Sequence, residues 1–128
     1  MTYYFAKTLD LPFEEAVAKT RESLAQEGFG VITEIDVQKT MKAKIGVEFR
    51  PYLILGACNP ALAYEALKIE DKVGTMLPCN VVVQQAPDGR TEVAAIDPVA
   101  SMSAIPNPQL AAKAATVGEK LKAALDRL

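Results

Sequence analysis

Hydrophobic residues recur with two different spacings along the chain, and these spacings predict both strands and helices. Short apolar runs between turn residues indicate strands, whereas apolar residues three or four positions apart indicate helices that bury one face. The predicted strands cover residues 2–9, 29–35, 52–57, 80–85 and 91–96. The predicted helices cover residues 12–27, 37–45, 61–69 and 108–128.

The boundaries of these helices carry suitable capping residues. Asp36, Asn59 and Asn107 each stand directly before a predicted helix, where a short polar side chain can accept a backbone N–H. Proline follows both asparagines, as is common at the first helical position. Gly28 and Gly46 stand where helices are expected to end, because glycine readily adopts the left-handed C-cap conformation.

Turn residues determine part of the strand order. The tetrapeptide PDGR at residues 87–90 separates the last two predicted strands and predicts an antiparallel hairpin. Residues 72–78 form a connector whose structure the sequence leaves open, and we expect a loop of small residues over 100–106. The order β-α-β-α-β-α-β-β-α predicts a single α+β domain over residues 1–128, with two long helices packed on a mixed, mainly antiparallel sheet.

The charge balance narrows the classes of function. The chain has 14 basic and 16 acidic residues and a net charge of −2, whereas nucleic-acid-binding domains usually carry a basic excess. Lys39, Lys42, Lys44 and Arg50 are close in sequence, but acidic residues flank them, and we interpret them as a solvated helix face. We therefore expect no nucleic-acid partner.

No segment of the sequence indicates export or a membrane. The first residues, MTYYFAKTLDLPFEEA, lack the basic region and apolar run of a signal peptide. No apolar stretch approaches the ~20 residues that span a bilayer. Two cysteines are too few for the disulfide framework of a secreted domain. We expect a cytoplasmic protein with no membrane partner.

The chain contains no histidine, which limits the chemistry that it can perform. The absence excludes Ser-His-Asp and Cys-His catalysis, as well as zinc sites with histidine ligands. Two thiolates are only half of a structural zinc site, so a zinc ion would need the cysteines of two copies. We expect neither a metal nor a cofactor.

The region with the clearest chemical potential contains the two cysteines, which stand at predicted strand ends. Cys58 follows a strand within GACNP, Cys79 begins a strand within LPCN, and Asp97 ends the last strand. If strands 52–57 and 80–85 run antiparallel, these three residues share one edge of the sheet. If the strands run parallel, the two cysteines lie at opposite edges. The sequence leaves both arrangements open.

Two interpretations of the cysteines follow. A thiol near a helix N-terminus can have a lowered pKa, which would make Cys58 a reactive thiol with Cys79 as its partner. Alternatively, both are small buried residues, as free cysteines usually are, and we favour this second interpretation.

Polar residues near the cysteines add further candidates. Asp97 and Glu34 could supply carboxylates for acid–base chemistry, although a turn and a solvated position explain them more simply. Asn59 and Asn80, each directly after a cysteine, are candidates for ligand binding together with Glu34.

Four segments of the chain resemble a known family, the bacterial and archaeal group named domain of unknown function 302. They are GFGVITEIDV (28–37), PYLILGACNP (51–60), LPCNVVV (77–83) and AIDP (95–98), and the resemblance covers nearly the whole chain. It implies a compact α+β domain whose close relatives form homodimers, and it implies no reaction, cofactor or catalytic residue. The residues at the matched motif positions are Cys58, Asn59, Cys79, Asn80 and Asp97.

Three hypotheses of function remain, from different classes. We favour a homodimeric binding or interaction module without catalysis, with a small-molecule ligand as a further possibility. The apolar C-terminal helix and the family resemblance suggest the homodimer. The second hypothesis is a thiol-dependent redox or transferase protein that uses Cys58 with Cys79. The third is an enzyme that uses the carboxylates of Glu34, Asp36 or Asp97.

Overall fold

The computed structural model describes residues 2–128, which form one five-stranded sheet and several helices. The strands are β1 (Tyr4–Leu9), β2 (Gly30–Asp36), β3 (Tyr52–Cys58), β4 (Cys79–Gln85) and β5 (Thr91–Ile96). The helices are α1 (Phe13–Gln26), α2 (Val37–Ile45), α3 (Pro60–Ile69), α4 (Pro98–Ser101) and α5 (Pro108–Asp126), with a 3₁₀ helix at Asp71–Met76.

The strands are arranged in the order β1-β5-β4-β3-β2, and every neighbouring pair is antiparallel. The predicted α+β class is confirmed, and the sheet that we expected to be mixed is antiparallel throughout. The pairing of β3 with β4 places Ala57 opposite Cys79. The two cysteine segments therefore meet at one end of the sheet, as the first of the two open arrangements required.

The predicted capping residues are confirmed at the helix ends. The Asp36 side chain accepts the backbone N–H of Lys39 at 2.9 Å, and Asn107 accepts that of Gln109 at 2.9 Å. Gly46 ends α2 with a φ of 67°, a conformation that favours glycine. These helix boundaries follow from residues next to them in sequence and need no long-range contact.

Two connectors contain more helix than the sequence pattern predicted. Residues 71–76 form the 3₁₀ helix, which covers most of the connector whose structure the sequence left open. The prediction of a loop from residue 100 is wrong at its start, because α4 extends to Ser101. Asp97 accepts the backbone N–H of Val99 at 3.0 Å, so Asp97-Pro98 caps a helix as Asn59-Pro60 does.

The hydrophobic core lies on one face of the sheet, under α1 and α5, which also pack against each other. On this inner face Leu55, Val81, Val83 and Val93 are fully buried. A second, smaller cluster joins α3, the 3₁₀ helix and α5, and consists of Ala66, Val73, Met102, Leu110 and Ala114. Because this second cluster holds α3 beside the end of the sheet, it shapes the region around the cysteines.

The opposite face of the sheet carries an apolar row that crosses all five strands. The strand registers align these residues as Ala6, Ala94, Val82, Ile54 and Ile35. We call this surface the open face, because every residue of the row keeps at least part of its side chain exposed. Helix α2 follows β2 at one end of the sheet and buries none of its own residues.

Candidate functional site

A cleft of about 300 Å³ lies at the end of the sheet where the two cysteine segments meet. Its walls come from the ends of β3 and β4, from α3 and the 3₁₀ helix, and from α5. We call it the thiol cleft, because both cysteines contact it. The residues that line it are Phe29, Ile32, Ala57, Cys58, Asn59, Leu62, Ala63, Leu67, Gly74, Leu77, Pro78, Cys79, Met102 and Val117.

The two cysteines differ in their surroundings, although Cys58 directly follows Ala57, the residue opposite Cys79. Cys58 is half-buried, whereas Cys79 is buried, and both are free thiols. Burial raises the pKa of the Cys79 thiol to about 11, and the nearby Cys58 contributes in the same direction. Because the charged thiolate is disfavoured at Cys79, the more accessible Cys58 is the better nucleophile of the two.

Asn59 stands at the edge of the thiol cleft with its amide only weakly engaged. Its Oδ1 accepts the backbone N–H of Leu62, and its Nδ2 donates to the carbonyl oxygen of Glu27, both at 3.4 Å. These bonds are longer than the usual 2.9–3.0 Å of N–H···O contacts. The amide therefore caps α3 and still has hydrogen-bonding capacity at the cleft.

The other candidate residues lie outside the thiol cleft. Asp97 follows β5 at the same end of the sheet, but its side chain caps α4. Asn80 is exposed and borders a depression on the open face. Glu34 forms an exposed ion pair with Arg21 at 2.7 Å. The structure thus groups Cys58, Cys79 and Asn59 in the lining of the cleft, and the remaining three candidates lie outside that lining.

The sequence pattern missed most of the apolar wall of the thiol cleft. Leu62 and Leu67 come from α3, and Met102 comes from the segment after α4. Ile32 reaches the cleft beside an irregularity in β2, where the register shifts between Val31 and Thr33. The one available signal was α3 itself, which is apolar on more sides than a helix with a single covered face requires.

The open face carries polar side chains beside its apolar row. A shallow depression of about 350 Å³ on this face contacts Tyr4, Tyr52 and Val82. Next to it, Arg50 Nε donates to Gln84 Oε1 at 2.9 Å, and Gln84 Nε2 donates to Glu92 Oε1 at 3.2 Å. This chain of hydrogen bonds places one cation and one anion at the same border of an otherwise apolar surface.

Fold and site together define a small antiparallel α+β protein with helices on one sheet face and a thiol-lined cleft at the sheet end. The chain belongs to the family described as domain of unknown function DUF302, which matches residues 5–128.

A solved structure supports the same assignment. The crystal structure of an uncharacterized conserved DUF302 protein from Bacillus stearothermophilus is 33% identical to this chain and superposes with a TM-score of 0.92. The match covers 99% of this chain and 98% of the other. No curated protein matches the chain. Among residues 2–128, no helix has the length and apolar character needed to cross a membrane.

Proposed function

We propose that the protein is a homodimeric binding module whose two copies associate through their open faces. The observation that carries this proposal is the apolar row across all five strands, in which every residue keeps part of its side chain exposed. Tyr4 and Ile35 on this face are 44% and 50% exposed. A contiguous apolar surface of this kind is more often covered by a partner than left in contact with solvent.

The composition of the central strands supports the proposal that both faces of the sheet are covered. β3 (YLILGAC) and the first five residues of β4 (CNVVV) are almost continuously apolar. Antiparallel strands with one solvated face usually alternate between apolar and polar residues, whereas strands covered on both faces do not. A second copy of the chain supplies the missing cover without a further partner.

The charges at the border of the open face favour a second copy as the partner. Within the described residues, Glu92 uses only Oε1, and Arg50 uses only Nε in hydrogen bonds. A twofold axis parallel to β4 sets β3 of one copy opposite β5 of the other, and Arg50 opposite Glu92. Such a surface is self-complementary, as an interface between identical subunits must be.

Analytical ultracentrifugation of two matched variants tests the dimer. We expect the wild type to sediment as two chains of 13.8 kDa and Val82→Lys to sediment as one. Ala111→Lys adds the same charge at an exposed position of α5 and should remain dimeric. A wild type that stays monomeric contradicts the dimer, and a dimeric Val82→Lys contradicts the assigned face.

A charge exchange tests the orientation of the two copies. Arg50→Glu and Glu92→Arg should each weaken association, because each brings like charges together across the axis. The double variant should recover most of the loss. If the double variant associates more weakly than both single variants, the two residues do not face each other.

We expect the protein to act in the cytoplasm, where free thiols remain reduced. Separation of the soluble and membrane fractions of the host cell, followed by immunodetection, checks this location. Recovery in the membrane or secreted fraction contradicts it.

A thiol-dependent redox function is the second candidate, and the contact of both cysteines with the thiol cleft favours it. Hydrogen peroxide would oxidise Cys58 to a sulfenic acid with release of water. The Cys79 thiol would then displace a second water, so that the S–S bond forms and two thiols are oxidised by one peroxide. The burial of Cys79 and its raised pKa oppose this second step.

Mass spectrometry of the peroxide-treated, alkylated protein tests this candidate. A redox function predicts a disulfide that is absent from Cys58→Ser and Cys79→Ser. It also predicts rapid alkylation of Cys58 in the folded wild type near neutral pH. If alkylation occurs only after unfolding, or peroxide yields no disulfide, this function is excluded.

A further inference from the structure

The thiol cleft has the dimensions of a small-molecule site. Its volume of about 300 Å³ gives room for roughly ten water-sized groups. This volume lies at the lower end of the range for small-molecule pockets and is too small for a folded partner. The walls converge from strands, helices and the 3₁₀ helix, so the site is concave rather than a flat patch. These features indicate a compact ligand with roughly ten non-hydrogen atoms.

The lining excludes a charged ligand. Among residues 2–128, no Asp, Glu, Lys or Arg side chain contacts the cleft. An ionised group placed there would lose its hydration without gaining an opposite charge, which is strongly unfavourable. The ligand that fits is therefore neutral and mainly apolar.

One polar group of the lining determines where such a ligand would be anchored. The Nδ2 of Asn59 has two N–H groups, and its one hydrogen bond within the described residues is the 3.4 Å contact to Glu27. Asn59 directly follows the half-buried Cys58, and both residues line the cleft. A hydrogen-bond acceptor on the ligand, such as a ketone oxygen, can use the remaining N–H.

We propose that the thiol cleft binds a small neutral apolar molecule that carries one hydrogen-bond acceptor, held by the Asn59 amide. Cys58 is the more accessible of the two lining thiols, whereas Cys79 contributes only a buried apolar surface. The proposal does not depend on the dimer, because the cleft and the open face involve different residues.

Three probe molecules of nearly the same shape test separately whether the ligand needs a hydrogen-bond acceptor and whether it must be neutral. Acetophenone has the aromatic ring and the ketone acceptor, α-methylstyrene lacks the acceptor, and benzoate carries a negative charge. Titration of the ¹⁵N-labelled protein, followed by amide chemical shifts, gives the three affinities. We expect acetophenone to bind roughly two- to tenfold more tightly than α-methylstyrene, as one hydrogen bond allows. Benzoate should bind at least tenfold more weakly than acetophenone.

Two variants of α3 test the location. Ala63→Phe fills the cleft and should weaken acetophenone binding at least tenfold. Ala61→Phe adds the same ring at an exposed position outside the lining and should leave binding unchanged. If Ala63→Phe loses its dispersed amide spectrum, Leu67→Trp replaces it, with Tyr64→Trp as its control. Leu67 lines the cleft and is 42% exposed, so a larger ring there is compatible with the fold.

Alkylation of Cys58 gives an independent measurement. Saturating acetophenone should slow the reaction of Cys58 with N-ethylmaleimide severalfold, because the ligand occupies the cleft behind the thiol. Val82→Lys should bind acetophenone as the wild type does, whatever its oligomeric state. Equal binding of acetophenone and benzoate, equal binding by Ala63→Phe and Ala61→Phe, or unprotected Cys58 would each overturn the proposal.

Discussion

Both faces of the sheet carry apolar side chains, but the two faces differ in what covers them. In β4, Val83 is fully buried under the helices, whereas its neighbour Val82 points to the open face and is only half-buried. In β3, Leu55 and Ile54 show the same contrast. Hydrophobic character alone therefore does not define the core. The helices cover one face, and the apolar row on the other face is the surface that the proposed second copy would cover.

The largest loss in the free energy of unfolding should come from truncation of a side chain on the inner face. Leu55→Ala removes buried methyl groups and leaves a cavity, so we expect a loss of about 2–5 kcal/mol in the free energy of unfolding. Urea titration monitored by circular dichroism measures it. The loss should not depend on protein concentration, because Leu55 contacts the core of its own chain. A loss under 1 kcal/mol would contradict the assignment of this face as the core.

A pH-dependent loss of stability should come from the inner face as well. Burial holds the pKa of Cys79 at about 11, above its ordinary value of 9.0, so the unfolded thiol ionises before the folded one. The unfolded state then binds fewer protons, and stability falls as the pH rises from about 9 to about 11. The loss should be at most about 3 kcal/mol.

Urea titrations of wild type and Cys79→Ala at several alkaline pH values measure this effect. Tyrosines and lysines titrate in both proteins, so the difference between the two isolates Cys79. Parallel stability curves for the two proteins would show that Cys79 ionises equally in both states.

At Gly56, residues of the same chain already cover the open face. An added Cβ would lie 2.0 Å from Thr33 Oγ1 and 2.7 Å from Pro78 Cγ. We expect Gly56→Ala to destabilise by about 1–3 kcal/mol, because the rigid proline ring cannot move away easily. Thermal unfolding measures the loss, and Gly30→Ala, with nothing within 4 Å, is the control. The additional change Thr33→Ala should recover part of the loss, and no recovery would contradict the clash.

The smallest effect is expected for a truncation of the open face. In dilute solution, where the copies separate, Ile54→Ala should change the free energy of unfolding by less than about 1 kcal/mol. At high concentration the effect should grow, because association stabilises the folded chain. Urea titrations at two protein concentrations measure both values. An effect that is the same at both concentrations would mean that Ile54 contacts no second copy.

The sequence predicted the parts of the fold that depend on neighbouring residues. The caps at Asp36 and Asn107, the glycine at position 46 and the hairpin turn are local features and were confirmed. The helix after Asp97 was missed although it has the same cap-and-proline pair as α3, because the residues that follow are small and weakly patterned.

The candidate site could be predicted only in part. The residues Cys58, Cys79 and Asn59 were identified, but their proximity required the antiparallel pairing of β3 with β4, which is a long-range property. Ile32 joins the cleft through a local irregularity in β2 that no sequence pattern indicated. The open face was also hidden, because a continuously apolar strand does not reveal which of its sides the helices cover.

The position of the hairpin between β4 and β5 can distinguish two orientations of the chains in the proposed dimer. Its exposed tip, with Gly89 at a φ of 87°, lies at the end of β4 remote from the cysteines. If the twofold axis runs along β4, the two tips emerge at the same end of the assembly. If the axis crosses the strands, the tips point in opposite directions. Spin labels attached at Asp88→Cys in a background without other cysteines would distinguish a short interlabel distance from a long one.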